Sequence, residues 1–157
     1  MTGSLPRILL AEDNDNDLEL TLAALRSHRV ANDVDVVRDG AEALDYLYRR
    51  GQFTDQPSSP LALVLLDLNM PKVNGLEVLR QIKSDPELRL TPVVMLTSSR
   101  EEIDLLRSYQ LGVNAYVVKP VAFGEFMDAV KQLGAFWAVL NERPSLVAEP
   151  ASGAPRA

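Results

Sequence analysis

Short apolar runs alternate with amphipathic stretches five times along this chain, and this alternation limits its fold more than any other feature. The run Leu61–Leu66 is apolar at every position, as expected of a strand buried on both faces. Repeated strand-then-helix units predict an α/β fold, a doubly wound parallel sheet with helices on both faces. The predicted strands are Ile8–Ala11, Val34–Val37, Leu61–Leu66, Val93–Leu96 and Tyr116–Val118; the predicted helices are Leu18–Leu25, Ala41–Arg50, Leu76–Lys83, Glu101–Leu111 and Ala122–Leu140.

Local breakers agree with most of these boundaries. Asp85-Pro86 ends the third predicted helix, and Gly112 is a candidate C-cap of the fourth. Pro and Ser dominate residues 57–60, which predicts a loop before the third strand. Beyond Asn141 the chain is rich in Pro, Ala, Ser and Glu. We therefore predict one domain over residues 7–140, preceded by a segment of residues 1–6 and followed by a mobile tail of residues 141–157.

Composition excludes several functions. The 157 residues include 16 basic and 22 acidic residues, a net charge of −6, which argues against a nucleic-acid surface. The chain has no Cys and one His, so thiolate zinc sites, Cys nucleophiles and His-rich metal sites are excluded. The apolar runs are shorter than the about 20 residues that cross a bilayer, and Met1–Pro6 lacks the features of a secretory signal. We expect a cytoplasmic protein with no membrane partner.

Residues capable of chemistry directly follow four of the five predicted strands. Because the carboxyl ends of parallel strands meet at one edge of the sheet, where ligands bind, we expect these residues to form one site. They are Glu12 and Asp13 after the first strand, Asp67 after the third, Thr97 and Ser98 after the fourth, and Lys119 with Pro120 after the fifth.

Three carboxylates brought together at this edge would repel one another. Each pair costs roughly 4 kcal/mol at about 4 Å with an effective dielectric constant near 20. Lys119 offsets part of this repulsion, and a hard divalent cation with oxygen ligands, such as Mg²⁺, would offset more. A carboxylate surrounded by a metal, a Lys and a Thr hydroxyl is suited to receive a phosphoryl group.

These residues resemble the CheY-like receiver domain of two-component response regulators. Thr97 and Lys119 lie 30 and 52 residues after Asp67, which fits the family. The resemblance covers residues 7–133 and implies a flavodoxin-like sheet with strand order 2-1-3-4-5. It depends on Glu12-Asp13, on Asp67-Leu68-Asn69-Met70-Pro71 with Gly75, on Thr97 and on Lys119-Pro120.

The resemblance implies a phosphorylation site. Asp67 would accept the phosphoryl group from a phosphohistidine of a sensor histidine kinase, and Lys119 would pair with the phosphoryl oxygens. Glu12, Asp13 and Asp67, with the backbone carbonyl of Asn69, would hold Mg²⁺. Glu12 departs from the family, where an Asp is commoner at this position.

The resemblance also implies a conformational switch. Thr97 would move toward the phosphoryl group, and Tyr116 would turn inward behind it. Asn69 and Ser99 stand where the family tunes the lifetime of the phosphoryl group. The peptide bond between Lys119 and Pro120 would be cis, a conformer that is rare without Pro.

Some of these residues also have ordinary local interpretations. Asp15 and Asp17 suit the acidic first turn of a helix, and His28 suits a helix C-terminus. Thr97 could be a helix N-cap with Glu101 nearby, and Tyr116 could be half-buried packing.

The last two predicted helices carry more apolar residues than one core face can use, which predicts a partner surface. Leu105 and Tyr109 form a pair on a different side of their helix from Ile103, Leu106 and Val113. We predict a homodimer through the fourth helix, fifth strand and fifth helix; the alternative is that the extra residues cover the end of the sheet. The inward residues of the last helix are Phe126, Val130, Leu133 and Trp137, and those left over are Phe123, Met127, Phe136, Val139 and Leu140.

We therefore expect a single-domain response regulator that signals through protein contacts and catalyses only its own phosphorylation and dephosphorylation. The loop before the third strand and the long last helix resemble regulators that serve bacterial phytochrome kinases. One alternative is a Mg²⁺-dependent phosphohydrolase with an aspartyl nucleophile, but such enzymes need a second carboxylate where Asn69 stands. Another is a receiver-like binding module that accepts no phosphate.

Overall fold

A computed structural model describes residues 6–28, 30–56, 61–113 and 115–133. Five strands alternate with five helices, and a short 3-10 turn at Gly51–Phe53 follows the second helix. The strands are β1 (Arg7–Ala11), β2 (Val34–Val37), β3 (Leu61–Asp67), β4 (Val93–Thr97) and β5 (Tyr116–Val118). The helices are α1 (Asp15–Ser27), α2 (Gly40–Tyr48), α3 (Gly75–Ser84), α4 (Arg100–Ser108) and α5 (Phe123–Gln132).

The five strands form one parallel sheet in the order β2-β1-β3-β4-β5, which confirms the predicted fold class and topology. Ala11, the last residue of β1, lies opposite Val37 of β2 and Leu66 of β3. On the other side of β3, Asp67 lies opposite Leu96, and Thr97 of β4 lies opposite Val118. The strands therefore end almost level, so the loops that follow them start from one edge.

Both faces of the sheet are buried, which explains why β3 has no polar position before Asp67. Leu63 and Leu65 belong to the core on the face that α1 and α5 cover, where Phe126 is fully buried. Val64 and Leu66 belong to the core on the opposite face, which α2, α3 and α4 cover. Successive side chains of a strand point to opposite faces, so each of these residues needs to be apolar.

Two helices end earlier than the sequence predicted. α4 ends at Ser108 rather than Leu111, because Gln110 adopts a left-handed conformation with φ of 54° and the helix cannot continue through it. Gly112, with φ of 79°, lies in the following turn and is not the C-cap of α4. α2 ends at Tyr48, where Arg49 adopts φ of 55°.

Several predictions fall on residues that the structure does not describe. These include the loop at residues 57–60, the part of the last helix beyond residue 133, the segment of residues 1–5 and the tail of residues 141–157. The predicted domain boundaries therefore stay predictions. Among the described helices, none has the length and apolar character needed to span a membrane.

Polar side chains begin the helices that follow β1, β3 and β4. Asn14, Asn74 and Ser99 are the N-caps of α1, α3 and α4, and each side chain accepts a hydrogen bond from the backbone N–H three residues later. These bonds satisfy N–H groups that the helix itself leaves unpaired. These bonds fix the loops after β1, β3 and β4 at the points where they enter their helices.

Gly75 lets α3 start directly against the end of β3. A Cβ atom at this position would lie 2.2 Å from the carbonyl oxygen of Asp67, a distance that no real Cβ contact has. The N–H of Gly75 also donates to the carbonyl oxygen of Leu68 at 2.8 Å. Only glycine permits this approach, so Gly75 helps to set the position of the Asp67 backbone.

We expect Gly75→Ala to lower the free energy of unfolding by about 1–3 kcal/mol, because the added methyl group forces α3 away from β3. Gly124→Ala is the matched control, since a Cβ in that helix would meet nothing within 4 Å. The control should raise the free energy of unfolding by about 0.5–1 kcal/mol through helix propensity alone. Urea denaturation of both variants measures these changes. Equal effects would contradict the steric argument.

Candidate functional site

Three acidic side chains meet at the carboxyl edge of the sheet. One carboxylate oxygen from each of Glu12, Asp13 and Asp67 lies within 4.8 Å of the other two. Glu12 and Asp67 are buried, and Asp13 is exposed. Glu12 and Asp13 follow β1, and Asp67 ends β3. These two strands are neighbours in the sheet, so the three side chains lie side by side at its edge.

Lys119 supplies the positive charge of the site. Its Nζ lies 2.8 Å from Oδ2 of Asp17, 3.3 Å from Oδ1 of Asp67 and 3.4 Å from Oε1 of Glu12. Burial lowers the pKa of Lys119, but the hydrogen bond to Asp17 and the charges of Asp67 and Glu12 outweigh burial and raise the pKa above its usual value. Lys119 therefore stays protonated at neutral pH. Its bond to Pro120 is cis, as the resemblance implied.

Glu12 carries the least favourable charge of the group. Burial, followed by the proximity of Asp67, raises the pKa of Glu12 from 4.5 to about 7. The charge of Lys119 and a hydrogen bond from the Asn14 amide to Oε2, at 3.2 Å, act in the opposite direction. The carboxyl group of Glu12 is thus close to its midpoint at neutral pH, and a cation nearby would favour its ionised form.

Asp67 ends β3, and one oxygen of its carboxylate has two hydrogen-bond donors. Oδ1 accepts from the Asn69 amide at 3.3 Å and from Lys119 Nζ at the same distance. Thr97 is fully buried at the end of β4, where its backbone carbonyl accepts from the Lys119 amide at 2.8 Å. Adjacent strands thus bring Asp67, Thr97 and Lys119 to one edge.

The hydroxyl groups of Thr97 and Tyr116 both donate to backbone carbonyls two or three residues away in the chain. The Thr97 hydroxyl donates to the carbonyl oxygen of Ser99 at 3.3 Å. Ser99, not Thr97, is the N-cap of α4, so the local interpretation of Thr97 as an N-cap is wrong. The Tyr116 hydroxyl donates to the carbonyl oxygen of Val113 at 2.6 Å, and the half-buried ring lies 5.3 Å from the Arg107 guanidinium.

Three residues of the site were missed by the sequence analysis. Asp17 bonds to Lys119, although its place in the first turn of α1 fits an ordinary helix start. Glu102 of α4 accepts from the side chain of Asn69 at 3.2 Å. Arg38 donates to the carbonyl oxygens of Glu12 and Asp13 at 3.0 and 2.9 Å.

A signal for Arg38 was present in the sequence. Arg38 is a charged residue directly after a parallel strand, β2, which is the same signal that marks Glu12 after β1 and Lys119 after β5. It also forms an ion pair with Asp15. Asp15 therefore does more than begin a helix, because it pairs with the Arg38 guanidinium that binds the backbone carbonyls of Glu12 and Asp13.

The pKa of Glu12 leads to a testable pH dependence. Between about pH 4.5 and about pH 7 the folded protein holds a proton on Glu12 that the unfolded chain has released, so the free energy of unfolding falls as pH rises. Glu12→Gln should reduce this fall by about 1–3 kcal/mol in metal-free protein. Urea denaturation with a chelator, at about pH 5 and about pH 8, measures the difference.

Asp13→Asn is the control for this measurement, since it removes a charge from the exposed neighbour of Glu12. The free energy of unfolding of Glu12→Gln should fall less between the two pH values than that of the natural protein. An equal fall in both proteins would contradict the assignment of this pH dependence to Glu12.

Comparison with known proteins identifies the family. The response regulator receiver domain matches residues 8–131. Response regulator Rcp1 of Synechocystis sp. is 38% identical over 130 residues, which cover 83% of this chain and 87% of Rcp1. A solved structure of Rcp1 in its Mn²⁺-bound form has a TM-score of 0.65 at 36% identity and covers 85% of this chain and 95% of that one.

Two further solved structures are similar. The bacteriophytochrome response regulator AtBRR is 60% identical, with a TM-score of 0.85, over 89% of this chain and 100% of that one. The phosphorylated cyanobacterial phytochrome response regulator RcpA is 42% identical, with a TM-score of 0.67, over 85% of this chain and 94% of that one. This chain belongs to the response regulator receiver family, whose general role is to take a phosphoryl group from a kinase on an aspartate.

Proposed function

We propose that Asp67 is the aspartate that accepts the phosphoryl group. The observation that carries this proposal is the position of Lys119 Nζ, 3.3 Å from Oδ1 of Asp67, beside two further acidic residues of the same edge. A carboxylate oxygen of Asp67 attacks the phosphorus of a phosphohistidine, the P–N bond breaks, and its electron pair stays on the imidazole nitrogen, which takes up a proton. Lys119 pairs with the phosphoryl oxygens and stabilises their charge.

The donor set around Asp67 supports a divalent cation. The three carboxylate oxygens of Glu12, Asp13 and Asp67 are hard ligands close together, and Mg²⁺ favours a few such carboxylates. We assign these residues and the backbone carbonyl of Asn69 as its ligands. When bound, the cation neutralises charge on the transferring oxygens. The Mn²⁺-bound form of Rcp1 supports the binding of a divalent cation by a receiver of this kind.

Phosphorylation would then act through the loop after β4. An acyl phosphate carries roughly −1.5 to −2 charges at neutral pH in place of the single charge of the Asp67 carboxylate, and it adds three acceptor oxygens, a change large enough to bias a loop with two arrangements. We propose that Thr97 exchanges its bond to Ser99 for one to the phosphoryl group, and that Tyr116 moves with it. Asn69 and Ser99 are assigned to control the lifetime of the phosphoryl group.

A bacterial phytochrome kinase is the proposed donor. Two proteins of similar structure, the bacteriophytochrome response regulator AtBRR and the cyanobacterial phytochrome response regulator RcpA, are connected with phytochromes by name, which supports this partner class. We place the exchange in the cytoplasm, where ATP charges such kinases, and expect the signal to leave through protein contacts. Turnover of external phosphate esters is not expected, since Asn69 cannot serve as a general acid or base.

Asp67→Asn should abolish phosphorylation, because the amide cannot form the acyl phosphate. The natural protein and the variant are incubated with a small phosphodonor and Mg²⁺, and intact mass and released phosphate are measured. A single added phosphoryl group on the natural protein alone supports the proposal. Rapid release of phosphate from many esters would instead indicate a phosphohydrolase, and absence of any label would indicate a binding module.

Lys119→Gln is a second test of the same assignment. The variant keeps a hydrogen-bond donor but loses the charge, so the labelling rate should fall by at least about tenfold. Lys131→Gln is the matched control, because Lys131 is an exposed residue of α5. Equal rates in both variants would argue against the role of Lys119.

We also propose that the protein forms a homodimer through α4, β5 and α5. Leu105 of α4 and Tyr109, the C-cap of that helix, support this, since they are 53% and 42% exposed while Ile103 and Leu106 are buried. The contribution of α5 is smaller than the sequence suggested, because Phe123 and Met127 pack partly against the core rather than remaining unused. Phe123 also stacks on His28 at the end of α1, with ring centroids 4.2 Å apart. Phe136, Trp137, Val139 and Leu140 lie outside the described residues.

Leu105→Glu should shift the protein toward the monomer, because it places a charge in the proposed apolar interface. Sedimentation at tens of micromolar, with and without phosphodonor, measures the oligomeric state. Leu90→Glu is the control, since Leu90 is 84% exposed in the loop before β4, away from the proposed face. A natural protein that sediments as a monomer under both conditions would contradict the dimer.

A further inference from the structure

A single carboxylate on α4 connects two loops of the site. Oε2 of Glu102 accepts from the side-chain amide of Asn69 at 3.2 Å, and Oε1 accepts from the backbone N–H of Ser98 at 2.7 Å. Asn69 lies in the loop after β3, and Ser98 lies in the loop after β4. Glu102 therefore holds the two loops together at the edge where Asp67 and Thr97 lie.

Helix capping explains only part of this arrangement. Ser99 is the N-cap of α4 and accepts from the Glu102 amide at 3.3 Å, which is half of a capping box. In a complete capping box the Glu side chain returns to the N–H of the N-cap residue itself. Here the carboxylate instead reaches Ser98, one residue earlier, and also Asn69 in a different loop. The bond to Asn69 satisfies no N–H group at the N-terminus of α4, so it does not cap the helix.

The contacts of Glu102 continue to the proposed phosphorylation site. The backbone amide of Asn69 donates to Asp67 while its side chain donates to Glu102. In the loop after β4, Glu102 binds the Ser98 amide, and Ser99 accepts from the Thr97 hydroxyl. At the carboxyl end of β4, the Thr97 hydroxyl and the Ser98 amide thus already have acceptors, Ser99 and Glu102.

The charge of Glu102 adds to this effect. Burial raises its pKa, but the hydrogen bonds from Ser98 and Asn69 and the charge of Lys119 outweigh burial, so the group is held in its ionised form. A phosphoryl group on Asp67 would bring further negative charge and three more acceptor oxygens to the same edge. It would repel Glu102 and compete with it for the same N–H donors.

We propose that Glu102 is a positioning residue that holds the loops after β3 and β4 in the unphosphorylated arrangement and so opposes phosphoryl transfer to Asp67. The inference rests on the proposed function of Asp67. Its energetic basis is that an interaction present in only one of two states favours that state by its own free energy. The bonds that Glu102 makes to Ser98 and Asn69 must lengthen or break before the Ser98 amide and the Asn69 side chain can turn toward the phosphoryl group.

Glu102→Gln and Glu102→Ala test this role. Gln keeps an acceptor for Ser98 and removes the charge, whereas Ala removes both. With a small phosphodonor and Mg²⁺, labelling should be roughly threefold to tenfold faster than in the natural protein, and faster with Ala than with Gln. Intact mass against time gives the rate. Glu101→Gln is the matched control, since it removes an exposed charge one residue away and should leave the rate unchanged.

Two further measurements separate positioning from general effects. Amide hydrogen exchange at Ser98 in unphosphorylated protein should be faster in Glu102→Ala and unchanged in Glu101→Gln. The faster labelling should persist at about 0.5 M salt, where surface charges are screened. Loss of helix capping alone would lower the thermal unfolding midpoint without making phosphorylation faster.

The outcomes are distinct. If the natural protein is labelled and both Glu102 variants are labelled at its rate or more slowly, this inference is wrong while the proposed function stands. If Glu101→Gln is faster to the same extent, or the effect disappears in salt, surface charge is responsible and the inference is also wrong. If the natural protein takes no label, the proposed function fails, and the inference fails with it.

Discussion

The burial of two carboxylates beside one lysine is the constraint on which this site depends. Glu12 and Asp67 are almost completely buried, and Lys119 lies within 3.4 Å of both. Charges removed from water in this way are costly unless they are paired, so the ion pairs with Lys119 stabilise the two buried carboxylates in the folded state. Even so, the pKa of Glu12 stays raised, because burial and the neighbouring Asp67 together outweigh the charge of Lys119. A site with residual negative charge at the end of a rigid sheet is prepared to bind a cation.

The loops around this charge are fixed more tightly than their length suggests. Gly75 allows α3 to start against the Asp67 backbone, and Arg38 binds the carbonyl groups of Glu12 and Asp13. Glu102 joins the loops after β3 and β4. The contacts of Gly75, Arg38 and Ser98 use backbone groups, whereas the Asn69–Glu102 bond joins two side chains. The acidic side chains are therefore positioned largely through the main chain behind them. A change of charge at Asp67 would consequently act on the loops after β1, β3 and β4 together.

Much of the fold could be predicted from the sequence, because each strand is short and mostly apolar and each helix that follows carries apolar residues at helical spacing. The residues that follow β1, β3, β4 and β5 were also found, since parallel strands end at a common edge. The errors have local physical causes. α4 ends early because Gln110 adopts a left-handed conformation, a state that a non-glycine residue rarely adopts. Asp17 was missed as a contact of Lys119 because its place in a helix start already explained it.

The sequence by itself determined the elements, the fold class and the list of acidic and basic residues at the carboxyl edge, because these follow from periodicity and from position at the end of a strand. Only the tertiary structure decided which of them touch. Lys119 lies 102 residues from Asp17 and 107 from Glu12, and no local pattern relates such distant positions. The same holds for Asn69 and Glu102, whose contact exists only because β3 and β4 are neighbours in the sheet. Side-chain contacts between different loops depend on strand order and helix placement, and those are properties of the whole fold.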